Sequence, residues 1–159
     1  MSMKRQAPYL ALIAGLALAD QITKAVVVKS VPVYGSISVI PGFFAISRVH
    51  NRGAIFGMFN GSGHKLITVL LAAAMITAMG FVVAYFIRTP SSQKGMRFAL
   101  SLVMAGALGN FIDRLFRGYV IDFLEIHVKT FYWPTFNVAD SCISVGAVLL
   151  VFIVLARRS

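Results

Sequence analysis

The chain has 159 residues, of which 58% are hydrophobic and only 13% charged, with a net charge of +10 and a mean hydropathy of +0.83. A soluble domain carries about 25% charged residues, so this composition excludes an ordinary water-soluble protein and points to the membrane. The basic excess suits anionic lipid headgroups and not nucleic acid, because the Lys and Arg residues form no aromatic-interleaved patch or nucleic-acid motif.

Taken in chain order, four apolar stretches are predicted to be transmembrane helices: residues 8–28, 66–87, 98–116 and 138–156. A span needs about 20 apolar residues to cross about 30 Å of hydrocarbon at 1.5 Å per residue. The uninterrupted run LITVLLAAAMITAMGFVVAYFI, from Leu66 to Ile87, meets that length most clearly. The fold class expected is an all-α membrane protein in one polytopic domain over residues 1–159, with a small β-structured loop outside the bilayer.

The first stretch also has the look of a secretory signal, since MSMKRQ precedes an apolar run that reaches Ala17-Leu18-Ala19. Apolar character resumes at Ile22 and Ala25 to Val28, so a retained span is expected. Basic residues cluster tightly at Lys4 and Arg5, at Arg88, Lys94 and Arg97, and at Arg157 and Arg158. By the positive-inside rule these ends favour a cytoplasmic location for both termini.

The connections differ. RTPSSQKGMR, from Arg88 to Arg97, reads as a plain turn between antiparallel helices. The loop of residues 29–65 contains VPVYGSISVI and FFAISRV, β-branched and aromatic stretches broken by Pro and Gly, which read as short strands. The loop of residues 117–137 places Phe131, Tyr132 and Trp133 together as an interfacial anchor. These two loops share the extracytoplasmic face.

Chemistry has few candidates. Cys142 is the only thiol and lies in the fourth span. His50, His64 and His127 are scattered without metal-ligand spacing, so no metal is expected. There is no G-x-S-x-G elbow, although Lys24, inside a span, leaves a Ser/Lys pair conceivable.

That leaves the five acids, Asp20, Asp113, Asp122, Glu125 and Asp140, all at or near the outer ends of spans. Charge at such depth is costly, which makes each a functional candidate with a structural alternative. Asp20 and Lys24 lie four apart and could pair on one helix face; Asp113 has Arg117 four residues on, Arg114 beside it and Asn110 a turn earlier. Asn137 and Asp140 match a capping box opening the fourth helix, whose N-terminus stabilises negative charge. Asp122, among apolar neighbours and without a basic residue three or four positions away, needs a partner from elsewhere. Were it to face Asp140, the two like charges would share one proton, giving one acid and one base.

The ordered series Asp20-Gln-Ile-Thr-Lys24, His50-Asn51-Arg-Gly53-Ala-Ile-Phe56-Gly57, Gly109-Asn110-Phe-Ile-Asp113-Arg114, Gly118-Tyr-Val120-Ile-Asp122-Phe123 and Phe136-Asn137-Val-Ala139-Asp140 resembles that of bacterial lipoprotein signal peptidase, signal peptidase II. Each motif alone is weak, but their order across nearly the whole chain is specific. The resemblance implies a four-helix inner-membrane aspartic endopeptidase with cytoplasmic termini, active near the outer leaflet surface as a monomer and without a cofactor. It implies diacylglyceryl-modified prolipoproteins as substrates, cleaved N-terminal to the lipidated cysteine, with membrane lipids as the other partners. It further implies Asp122 and Asp140 as the catalytic pair, with Asn51, Gly53, Asn110, Asp113, Arg114, Asn137, Asp20 and Lys24 binding substrate or supporting the site. A β-cradle in the first outer loop and a short helix over the site in the third are expected on the same ground. Ile55, where the family often has alanine, is a departure that concerns loop packing.

Two readings from other classes compete. A small proton-coupled antiporter would also use acids among short helices, though an acid at mid-span and an internal repeat would suit it better. A non-catalytic scaffold would account for capping and pairing but not for Asp122.

Overall fold

The computed structural model describes residues 6–52 and 63–157. Among the described residues, four helices run up and down: α1, Ala7–Ser30; α2, Gly63–Arg88; α3, Lys94–Arg117; and α4, Val138–Ala156. By length and hydropathy α1, α3 and α4 can each cross a membrane, and the apolar part of α2 over Ala73–Arg88 is shorter. Gly53 and Ile55 lie outside the described residues.

In α1 the buried positions Ile13, Ala17, Asp20, Lys24 and Val27 recur at alternating intervals of four and three, which is one helical stripe. That stripe is apolar at both ends, with the charged Asp20 and Lys24 between. The outward surface reverses the polarity of a soluble protein: Leu18, Ile22, Phe81, Val148 and Phe152 are exposed while Asp20, Lys24 and Asp113 are buried. Such an apolar exterior is stable in hydrocarbon and not in water.

At the end where α1 and α3 finish and α4 begins, a four-stranded antiparallel sheet is built in the order β1 (Ser36–Ile40), β2 (Phe44–Asn51), β3 (Val120–Val128), β4 (Phe131–Tyr132). Pairing of β2 with β3 joins segments that are far apart in sequence and sets Val49 opposite Asp122 and Asn51 opposite Val120. Val27, Val31 and Phe123 pack with Ile46, Leu124 and Val138 where sheet and helices meet.

The loop after α3 therefore departs from expectation. No helix lies between Gly118 and Asn137; β3 and β4 occupy that stretch. Gly118, at φ 75°, ends α3 in the left-handed conformation. The β-branched and aromatic run that follows completes the sheet begun in the first loop.

A second departure lies at the opposite end. Arg97, read as a flanking charge beside a plain connector, is fully buried. Its Nε and Nη2 donate to the Thr89 carbonyl at 3.1 and 2.8 Å, and its guanidinium lies 5.7 and 5.2 Å from the ring centroids of Tyr9 and Phe86. The connector is thus a clamp on the C-terminus of α2, where a cation complements the helix dipole.

Helices α3 and α4 approach closely. A Cβ on Gly106 would collide with the Ala139 carbonyl oxygen, so only glycine admits the start of α4 this close.

Candidate active site

Four of the five acids converge where α1, α3, β3 and α4 meet, and Glu125 instead faces His127 on the sheet, 3.9 Å away. Asp122 reaches this point because β3 is held on both sides. On one side, β2 brings the Asn51 amide to donate to Asp122 Oδ2 at 2.8 Å. On the other, Phe123 and Leu124 donate their backbone N–H groups to the Phe136 carbonyl at 3.0 and 2.8 Å, which places Asn137 beside Asp122.

Asn137 links the two carboxyl-bearing residues. Its Nδ2 donates to Asp122 Oδ1 at 2.8 Å, and its Oδ1 accepts from the Asp140 backbone N at 2.9 Å. The Asn137 backbone N donates to Asp140 Oδ2 at 3.2 Å, completing the capping box of α4. Asp140 Oδ1 accepts from Asn110 Nδ2 at 2.7 Å. Capping and juxtaposition of the two acids are thus one arrangement, not competing accounts of Asn137.

Behind the pair lies a buried ion cluster. Lys24 Nζ is 2.8 Å from both Asp20 Oδ2 and Asp113 Oδ2 and donates to Asn110 Oδ1 at 3.1 Å. An ammonium has three N–H donors, and these three acceptors use them. None is a serine, so the Ser/Lys alternative finds no support. Asp113 also accepts from Arg117 and, at 3.2 Å, from Gln21 Nε2. Gln21 further donates to the Gly109 carbonyl at 3.1 Å and accepts from Arg117 at 3.0 Å. Sequence reasoning passed over Gln21, although it stands next to Asp20 in the first motif. A Cβ on Gly109 would come within 2.7 Å of Asp20 Oδ2, so this helix contact also requires glycine.

Burial pushes the Asp122 carboxyl up to about 6; the nearby Asp140 carboxylate acts in the same direction, while the Asn51 and Asn137 amides and the Lys24 charge oppose it. A carboxyl so placed is poised to hold a proton near neutral pH. His50, another residue without an assigned partner in the sequence, stacks on Tyr119 with ring centroids 4.0 Å apart. Burial lowers its pKa, helped by the charges of Arg48 and Arg52.

A cavity of about 670 Å³ opens between α2, α3 and α4. Its walls are apolar, including Met75, Ile76, Met79, Val82 and Phe111, and Asn110, Arg114 and Asp140 supply polar groups at the site end. Arg114 is exposed there, its Nη1 donating to the Asn110 carbonyl at 3.4 Å. Among the described residues no group of three or more His, Cys, Asp or Glu side chains could hold a metal ion.

Residues 12–156 match the family model described as signal peptidase (SPase) II. The lipoprotein signal peptidase of Paraburkholderia phymatum is 44% identical over 154 residues, covering 95% of this chain and 89% of that protein. That of Paraburkholderia phytofirmans is 42% identical over 151 residues, covering 95% and 86% respectively. A bacterial membrane enzyme solved by the in meso method at 1.9 Å superposes with a TM-score of 0.83 at 31% identity, covering 94% of this chain and 93% of that one. With the resemblance over nearly its full length, the chain belongs to the signal peptidase II family of aspartic-type, membrane-embedded lipoprotein signal peptidases.

Proposed function

We propose that this protein removes the signal peptide from diacylglyceryl-modified prolipoproteins, cleaving N-terminal to the lipidated cysteine through water activated by Asp122 and Asp140. The observation that carries the reading is the Asn137-bridged pair of acids beside an apolar cavity. Two acyl chains need a dry groove and a peptide bond needs an acid and a base; these requirements meet at Asp140, which lines the cavity.

Asp140, in the first turn of α4 where negative charge is stabilised, takes a proton from water as the water oxygen attacks the scissile carbonyl. Asp122 gives its proton to the carbonyl oxygen, forming a neutral tetrahedral gem-diol. As the C–N bond breaks, Asp140 passes its proton to the leaving amine of the cysteine. Asp122 recovers a proton from the gem-diol, and the signal peptide departs with a new carboxyl terminus. The lipidated cysteine becomes the N-terminus of the mature protein.

In this reading α2 is a fourth span, both termini face the cytoplasm, and the sheet lies at the outer leaflet of the inner membrane. The exposed Phe131, Tyr132 and Trp133 of the β3–β4 hairpin suit that interface. The enzyme acts as a monomer. Incubation of purified enzyme in detergent with a diacylglyceryl-modified prolipoprotein and its unlipidated form tests the substrate. Cleavage of the lipidated form alone is expected; equal cleavage of both would remove the diacylglyceryl requirement.

A further inference from the structure

We propose that Lys24 is the positioning residue of the active site, a single ammonium that sets the place of both reacting carboxyls through three acceptors. The inference deepens the Asp122–Asp140 reading and rests on it.

Each acceptor of Lys24 has a second task. Asp113 Oδ2, 2.8 Å from Nζ, also accepts from the backbone N of Ile121 at 3.2 Å, one residue before Asp122. Asp20 Oδ2 is 2.8 Å from Nζ, and its other oxygen accepts from the backbone N of Ala139 at 2.9 Å, one residue before Asp140. Asn110 Oδ1 accepts from Nζ at 3.1 Å and from Asn137 Nδ2 at 3.2 Å, so Lys24 and Asn137 together orient its amide and leave Nδ2 to donate to Asp140 at 2.7 Å. In the first two branches each carboxylate meets both Lys24 and the backbone preceding a reacting acid, Asp20 through its two oxygens and Asp113 through Oδ2 alone.

A buried ion cluster that served only to join helices would require carboxylates near Lys24. It would not require that both reach past the ion pair to the residue before each acid, nor that the third partner touch Asp140. The device also joins three separate elements, α1, α3 and α4, to the strand β3, so removal of one ammonium frees both halves of the pair at once. Small displacements of reacting groups carry large rate costs.

The test compares Lys24→Met with the charge-balanced Lys24→Met/Asp20→Asn. In the double variant the amide oxygen introduced at position 20 can still accept from Ala139, while Asp113 keeps Arg117. Both are assayed on lipidated prolipoprotein beside wild type and Asp122→Asn, with thermal unfolding in detergent as the measure of fold. The double variant should fold and lose at least about tenfold in kcat with KM within about twofold, and Lys24→Met, where folded, should show the alkaline limb of its pH profile at higher pH, because the Lys24 charge that favours ionised Asp122 is gone. A folded double variant with wild-type kcat would overturn the proposal, as would loss of fold despite balanced charge, which would make Lys24 structural only. The pair reading fails separately, by turnover in Asp122→Asn.

Discussion

Both ends of the helix bundle contain a fully buried cation, and the two are held in different ways. Arg97, at the end away from the sheet, rests against Tyr9 and Phe86 and donates to a backbone carbonyl. Lys24, at the sheet end, is surrounded by two carboxylates and an amide, each of which leads onward to another residue of the site. Burial of charge alone therefore says little about function. What distinguishes the ends is where the partners lead: Arg97 closes a helix terminus, whereas Lys24 opens onto the pair of acids. Two carboxylates and an amide around the ammonium carry its position into the neighbouring elements, whereas the Arg97 contacts with Thr89, Tyr9 and Phe86 gather helix ends away from the acids.

Variants at each end sharpen this contrast, beginning with the largest effect on turnover. Asn137→Ser keeps a side-chain oxygen able to cap α4 but removes the amide that donates to Asp122. Once Asp122 gives up its proton this becomes a hydrogen bond to a charged group, worth about 1.5–3 kcal/mol, so kcat should fall about tenfold to a hundredfold with little change in the unfolding temperature. Wild-type kcat in Asn137→Ser would show that the bridge does not matter to the chemistry.

Asn51→Ala should have a smaller effect, about tenfold in kcat/KM, because its amide touches one partly solvated flank of the pair. It carries a sharper signature in pH. Asp122 works as the protonated member with a pKa of about 6, so kcat/KM should decline as pH rises past that value. The Asn51 hydrogen bond favours the ionised form, so its loss raises the pKa and moves the decline to higher pH. A shift to lower pH would contradict the proton assignment.

Arg97→Leu should leave kcat per folded molecule unchanged while lowering stability by about 2 kcal/mol, through loss of donors to Thr89 and of the cation–π contacts. Denaturant titration beside the cleavage assay measures both. A large loss of kcat in folded Arg97→Leu would erase the distinction between the ends.

Much of this was legible in local sequence. Apolar runs marked the helices, and Asn137-Val-Ala-Asp140 marked the start of α4 through a cap that needs only neighbouring residues. The pairing of Asp20 with Lys24 also follows from their spacing on one helix. What lies beyond local sequence is tertiary. Asn51 and Asp122 meet only because β2 and β3 pair across 71 positions of chain. For the same reason the loop after α3 becomes strand where a helix was expected, since β2 offers an edge that the segment cannot reveal alone. Arg97 reads as a solvated flank because position in sequence does not show that two aromatic rings from other helices pack against it. Gln21 was overlooked because its role depends on the approach of α3, not on its own neighbours.

The most direct test of the central claim is a cycle of single-turnover rates on lipidated prolipoprotein for Asp122→Asn, Asp140→Asn and the double variant, with thermal unfolding run in parallel. Groups that act as one unit are grossly non-additive. Each folded single variant should fall to the background rate, and the double should lose nothing further. Substantial turnover in either single variant, or additive losses on combining them, would contradict a shared role for the two aspartates.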